Sequence, residues 1–448
     1  MNDKLAQVKS IASDVVSYAR GKGADTVEAH THISTELEVE VRHGEVENLS
    51  EAASHSIYIT VSKGGRRASV SSCDFSEHAL QNLTDHALFL CNYTDEDPCY
   101  TMPDKDLLAT SIPELDLFDP DIANQNPENW IDKLSELEAR AVDQDPRIQS
   151  DGSFLGTNIS QFALANSQGF CEGLETSSIS TGVSLFAEDR QDGNSGRKQS
   201  GGYSSHSCHV ADLETADTIA EKAGEKVLRK LGAQKPKTGV FPVYFEPSVA
   251  RSLISSLLSA MKGGLVYRRE SYLADRLGQE VAIEAFSLLE EPHIPRGLNS
   301  RPFDSEGVQT TKRTLVQNGR LETFLLNTYS ANKLGLTSTG HAGGYGNVSL
   351  PVGPLSLDEM LKSMGTGLWL TEMSGQGIKL ISGDYSRGAS GLWVENGKVQ
   401  YPVSEFTISS NLDTMFKGIA MIGNNPEPRR AIITPGFVVD AMTLSGTN

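Results

Sequence analysis

The sequence is short of the features that mark several large protein classes. No apolar run approaches the ~20 residues needed to cross a bilayer, and mean hydropathy is −0.30. The first residues, MNDKLAQVKSIASDVVSYARGKG, form an amphipathic pattern without the unbroken apolar core of a secretory signal. The expectation is a cytoplasmic protein with no membrane partner. Cysteines are few and odd in number: Cys73, Cys91, Cys99, Cys171 and Cys208. No C-x-x-C occurs, so neither a zinc ribbon nor a disulfide framework is indicated. Basic residues are also scarce, with Lys+Arg 39 against Asp+Glu 58, a formal charge of −19. That balance argues against nucleic acid as a partner, because phosphate binding needs a basic face. Arg66-Arg67 and Arg268-Arg269 are the candidate basic patches, and short pairs of this kind are usually solvated. Also missing are a G-x-S-x-G elbow, a G-x-x-x-x-G-K-[ST] phosphate loop and an H-E-x-x-H zinc helix.

A chain of 448 residues is too long for one ordinary core. Lys235-Pro236-Lys237-Thr238-Gly239 has no periodicity and is rich in helix breakers, which places a boundary there. Residues 1–235 read as an N-terminal α+β region, divisible as 1–95 and 120–232 around an acidic linker. Residues 236–448 read as a β-rich domain of antiparallel hairpins with a few helices. The fold class is α+β.

In the first region, apolar residues from Leu5 to Ala19 recur at helical spacing. Strands follow at 27–32 and 36–42, the second alternating with Leu37, Val39 and Val41 inward, then at 56–61 and 67–71. Asp74 is placed as the N-cap of a helix over 75–91, with Glu77 completing a capping box. Residues 92–126 read as a surface-wrapping loop or linker. Pro127 opens a helix to Val142. Strands are expected at 159–165 and 181–187, a polar mobile loop at 188–205, and a helix at 212–231.

In the second region, a strand at 240–245 leads into a helix over 249–261. Asn318-Gly319 and Asn396-Gly397 mark two hairpins of one type, and Ser356 caps a short helix to Met364. Six glycines between Gly375 and Gly397 leave little side-chain bulk beside the backbone. Such a sheet could admit an extended peptide as a guest, or form a tightly turned core with none. Tyr385, Ser386 and Arg387, placed on a glycine-flanked turn, are the candidate peptide contacts.

Two metal constellations present themselves. His30 and His32 share a strand face with no third ligand nearby, so a surface strand is the preferred reading. His206, Cys208 and His209 crowd three ligand types into four residues, which rarely fit one ion without distortion. A further alternative is a hydrolytic site at Glu270 or Asp384 near His341.

The stretch MSGQGIKLISGDYSRGASGLWVENGKVQYPVSE, with MFKGIAMIGNN after it, closely resembles the TldD/PmbA (TldE) peptidase family. The Arg42–Glu51 stretch, SKGGRRASVSSCDFS and Tyr267-Arg268-Arg269-Glu270-Ser271 fit the same family, known also as modulators of DNA gyrase. The resemblance implies a cytoplasmic two-subunit peptidase acting on unfolded peptides, of antitoxin or microcin-precursor type. In its TldD subunit, H-E-x-x-x-H on a helix and a C-terminal cysteine hold zinc. Laid on the helix after Pro247, those positions fall on Ser255, Ser256 and Ala260, and the cysteine position falls on Pro435. Hydroxyl, methyl and pyrrolidine groups are not zinc ligands. The resemblance therefore implies a PmbA/TldE-type subunit with no metal or other cofactor of its own. Zinc is expected only in a TldD-like partner, with which it forms a heterodimer. The isolated chain is expected to self-associate as a two-fold dimer.

Overall fold

The structure, a computed structural model, describes residues 2–188 and 197–446. It is an α+β fold. The first region is built on one six-stranded antiparallel sheet: β1 Thr26–Arg42, β2 Glu45–Lys63, β3 Arg66–Ser72, β4 Ile148–Asn166, β5 Cys171–Glu188 and β6 Lys198–Ser207, in the order β3-β2-β1-β4-β5-β6. The strands on either side of the acidic segment thus belong to one sheet, joined where Ala29 faces Ala165 and Val39 faces Leu155. The stretches at 27–32 and 36–42 are one continuous strand, because no Gly or Pro interrupts His32 to Glu36, although the burial alternation lapses at Ser34.

Side chains alternate across that sheet. Val27, Ala29, Val39, Val41, Leu155, Ile179 and Val183 point to one face and are buried. Four helices cover this face: α1 Asn2–Gly21, α2 Glu77–Leu90, α4 Pro127–Val142 and α5 Ala216–Leu228, with the one-turn α3 Pro120–Ala123 beside α4. The middle of the opposite face is polar and small, with half-buried Asn158, Ser160, Thr176, Ser178 and Ser180, while Phe162, Leu164 and Leu174 make one end of it apolar. The turn between β1 and β2 is pinned from below: buried Glu138 accepts hydrogen bonds from His43 N (2.8 Å) and Gly44 N (2.9 Å). Two local expectations change. Ser76, not Asp74, caps α2; Asp74 instead accepts a bond from Ser76 N at 2.8 Å. Of the expected loop at 188–205, residues 198–205 are strand β6, and 189–196 lie outside the described residues.

The second region begins with β7 Gly239–Phe245, α6 Pro247–Ala260 and α7 Gly263–Tyr267. A small sheet, β8 Leu288–Glu291, β9 Arg313–Gln317, β10 Arg320–Leu321, β11 Asn347–Ser349 and, later, β17 Ile432–Ile433, flanks it. Helices α8 Thr328–Leu334 and α9 Leu357–Met364 precede β12 Gly367–Ser374, β13 Ile378–Lys379, β14 Asp384–Glu395 and β15 Lys398–Asn411. Then come α10 Leu412–Lys417, β16 Ile419–Ile422 and β18 Phe437–Ser445. Because β12 pairs with both β7 and β14, strands β12-β7-β18-β15-β14 close into a ring. Trp393, Phe245, Phe437 and Phe406 are buried in the core that this ring shares with α6.

Two of the glycines between Gly375 and Gly397, namely Gly377 and Gly391, already face the chain's own backbone, whereas a Cβ on Gly375 would meet nothing within 4 Å. A Cβ on Gly391 would lie 2.2 Å from the Trp369 carbonyl oxygen, and one on Gly377 would lie 1.6 Å from that of Ser386. The close approach that glycine permits is taken by the chain's own backbone, which removes the ground for seating a guest peptide at those positions.

The acidic 92–126 segment straps the two regions together. Asp97 accepts bonds from Tyr329 Oη (2.9 Å) and Lys333 Nζ (3.0 Å), and Ala109 N donates to Gly307 O at 2.9 Å. Leu108 and Ala109 join Leu164, Phe170 and Phe303 in an apolar cluster between the sheet and the second region.

Candidate functional site: helix α6 and the interdomain cleft

Pro247 starts α6 where its missing N–H costs nothing. Leu253, Ile254, Leu257 and Leu258 are fully buried, each worth about 1.5–3 kcal/mol relative to exposure. That apolar stripe fixes the rotation of the helix. Ser248, Arg251, Ser252 and Ser255 are left on the half-exposed side.

Of the four positions picked out from the sequence, Ser255, Ser256 and Ala260 lie on α6, which contacts β17, and Pro435 lies just after β17. Ser255 is half-buried. Ser256 is buried, and its Oγ donates 2.9 Å back to Ser252 O within the same helix. Ala260 has no exposed surface, and Pro435 is buried next to Thr434. Two hydroxyls, a methyl and a ring without a donor atom do not fit a zinc ion. Among the described residues no group of three or more His, Cys, Asp or Glu is placed to hold a metal.

The other sequence candidates are dispersed. His30 packs between the rings of Tyr58 and Phe162 (centroids 6.3 and 5.9 Å), and burial first, then the Arg67 charge, pushes it down to about 4. His32 Nε2 is 2.7 Å from Ser160 Oγ. His206 lies near Arg430, and burial holds it below its usual value. Burial raises the Cys208 thiol, and His209 Nε2 is 2.9 Å from Asp116 O, so the three do not converge. His341 bonds neither Glu270 nor Asp384. Its Nε2 is 2.8 Å from Glu290 Oε2, both side chains being almost wholly buried. Glu270 pairs with Arg268, and Asp384 accepts from Ser382 Oγ. Burial opposes ionisation of Glu290, but the His341 contact and Gly346 N outweigh it and keep its carboxyl below the usual range. The pair ties β8 to the 340–346 loop, and His341 lies at the wall of a hollow of about 570 Å³ that Tyr267 and Tyr329 also line. The candidate basic pairs are each matched by acids: Arg66 with Glu96, Arg67 with Glu28, Arg269 with Asp275.

Tyr385, Ser386 and Arg387 lie in strand β14, not on a turn; the turn is at 380–383. Tyr385 is buried beside Met373, and Ser386 is exposed. Of the three, Arg387 lines a cavity.

That cavity belongs to a cleft between the regions. Hollows of about 400 and 340 Å³ share Gly202, Lys226 and Ser248. A third of about 240 Å³ shares Arg229, Thr371 and Glu372 with the second. The walls are β6 and α5 on one side, and α6, β12 and β14 on the other. In a strongly acidic chain, this cleft collects eight cations against two lining carboxylates. Arg229 grips Glu246 (3.0 and 3.1 Å), Lys230 meets Glu372 (2.5 Å), and Arg251 and Arg430 share Glu427 (3.2 and 2.8 Å). Burial works against the Glu427 charge, but Arg430, Arg251 and Lys226 hold its carboxyl below the ordinary range. At one mouth Arg197 pairs with Glu405 and Lys198 with Glu188.

The cleft was not apparent from the sequence, since its residues come from positions as distant as 202 and 430. One signal existed: Lys222 and Lys226 on α5, with Arg229 and Lys230 just after its end, recur at helical spacing.

This arrangement, a helix-covered sheet strapped to a closed strand ring with a polar cleft between, is built by a chain that matches a metallopeptidase family. Family models described as PmbA/TldA metallopeptidase domain 1, central domain and C-terminal domain match residues 32–91, 120–231 and 238–446. The chain belongs to the PmbA/TldD metallopeptidase family. It is 38% identical over 440 residues to the Metalloprotease PmbA of Escherichia coli O157:H7, covering 98% of this chain and 96% of that one. To the PmbA homolog of Haemophilus influenzae it is 36% identical over 449 residues, covering 98% and 96%. A solved structure described as a modulator of DNA gyrase, from Bacteroides thetaiotaomicron, superposes with TM-score 0.91 at 26% identity, covering 98% of both chains. TldE from Thermococcus kodakarensis shares the fold, with TM-score 0.84 at 19% identity over 97% of this chain and 100% of that one.

Proposed function

We propose that this chain is the non-catalytic, PmbA/TldE-type half of a cytoplasmic two-subunit peptidase, and that zinc and the activated water come from a TldD-like partner. The observation that carries the reading is the chemistry of Ser255, Ser256, Ala260 and Pro435. Their side chains are hydroxyl, methyl and pyrrolidine, and Ser256 is already bonded to its own helix. A bound zinc in the partner would polarise the scissile carbonyl and supply the nucleophile. This chain's part is to receive an unfolded peptide, of antitoxin or microcin-precursor type, and present it.

Two features support a partner. Residues 45–56 of β2 pair with β1 only, so among the described residues their outer edge has no strand beside it. Val46 (45% exposed) and Leu49 (53%) lie on that segment. An open strand edge with exposed apolar side chains favours association with another chain. The same surface suits a two-fold dimer of the isolated chain.

The test is cleavage of an unfolded peptide by the purified chain, by a TldD-like partner, and by both together, each with and without a chelator. Chelator-sensitive cleavage is expected only where the partner is present. Chelator-sensitive cleavage by this chain alone refutes the proposal.

A further inference from the structure

Of the eight cations in the cleft, six have a carboxylate within ion-pair distance. Lys226 and Arg387 have none among the described residues. Both line the same 340 Å³ hollow, from opposite walls: Lys226 from α5, Arg387 from β14. Lys226 reaches only the face of the Tyr203 ring, at 4.9 Å. Arg387 touches the Ser252 hydroxyl at 3.5 Å, and its Nε is buried without a partner. Arg229 Nε and Gln199 Nε2, further along the cleft, are also buried donors without partners. Burial holds the Lys226 ammonium below its usual range, although Glu246 and Glu427 act in the other direction. A pair of unmatched, partly desolvated cations with spare donors is costly in an empty protein and complementary to an anion with several acceptor oxygens.

We infer that Lys226 and Arg387 form a carboxylate-binding subsite for the guest peptide, with Ser252 as an adjacent hydroxyl donor. Arg387 supplies a planar pair of N–H donors and Lys226 a point charge from the facing wall. Ser252 lies one turn before Ser255 on α6, so the subsite adjoins the surface where the resemblance places the family's metal helix. The carboxylate is either the C-terminal α-carboxylate or an Asp or Glu side chain. That the guest is a peptide rests on the function proposed above; the presence of an anion subsite does not.

The experiment is fluorescence anisotropy on the isolated full chain with a labelled, unstructured Gly/Ser/Ala/Leu peptide in three forms. These are a free C-terminus, an amidated C-terminus, and an amidated form with one internal Glu. Lys226→Met and Arg387→Gln should each weaken binding of a carboxylate-bearing form by about tenfold or more, as expected for a lost charge-assisted contact. Neither should change binding of the uncharged amidated form. Lys226→Arg should retain most of the affinity, and thermal melts identify any variant that fails to fold. Loss confined to the free C-terminal form assigns the α-carboxylate; loss with the Glu form assigns a side chain. Equal binding of all forms by wild type, or no change in the carboxylate forms on substitution, overturns the subsite. Because no partner is present, that failure is distinct from failure of the cleavage test.

Discussion

The interface between the two regions has two flanks of opposite character. On one, Phe162, Leu164, Phe170, Phe303 and Leu108 interlock, with Phe170 and Phe303 edge to face at 5.2 Å. Acids are buried beside them. Burial pushes Glu28 up to about 7, and burial with the neighbouring Glu306 does the same to Asp304, despite its three backbone N–H bonds. On the other flank lies the cation-lined cleft, open and without an apolar seal. The difference teaches a division of labour. The closed flank holds the regions together through dispersion and burial, which leaves the open flank free to keep unmatched charge for a ligand. Helix α6 runs between them, with its last turns in ordinary core and its first turns lining the cleft.

The strongest way to break this comparison is at the closed flank. Phe303→Ala should lower stability by about 3–5 kcal/mol in urea unfolding, the cost of a large buried aromatic. A loss below ~1 kcal/mol would mean that the aromatic cluster is not what joins the regions. Next in size is Ala260→His, which introduces an imidazole at a position with no exposed surface. Overpacking should cost about 1–3 kcal/mol, and dialysed protein should gain no metal.

The acids on the closed flank give a pH signature. A carboxyl whose folded value is about 7, against 4.5 when free, favours the fold most below 4.5. That contribution is lost as pH rises through about 7. Glu28→Gln should therefore gain about 1–3 kcal/mol on wild type between pH 4.5 and about pH 8, the Arg67 charge at 3.6 Å being already part of the shifted value. His30 works with the opposite sign, losing stability as pH falls from 6.5 towards 4, and cancels in the difference between variant and wild type. A difference that does not vary with pH would contradict a buried, protonated Glu28. The smallest effect belongs to Ser256→Ala. Its hydroxyl only returns to its own helix, so stability should shift by no more than about 0.5 kcal/mol, and peptide cleavage with the partner should not change.

What the sequence made legible was local. Pro127 to Val142, the Ser356 cap, and both Asn-Gly turns are as expected, Asn318 and Asn396 adopting φ of 48° and 53°; the structure adds Glu359, which completes a capping box with Ser356. These depend on nearest-neighbour chemistry. Strands with small polar faces were harder to see. Residues 198–205 look like a loop in composition, yet Gly201 is there because α5 lies on it: a Cβ would sit 3.1 Å from the Val227 backbone. Likewise Gly388 and Gly391 suggest a turn but serve a strand whose neighbour presses close. The resemblance drew attention to the stretch after Pro247, which is helix α6. It did not reveal the cleft, whose charges meet only after two regions dock.

The account rests most heavily on the chemistry of α6, and zinc content measures that directly. Purified, dialysed chain analysed by plasma mass spectrometry should carry zinc well below one equivalent, and Ser255→Ala should not change the value. A full equivalent that disappears on that substitution would contradict the account, because it would place a working metal site on this helix.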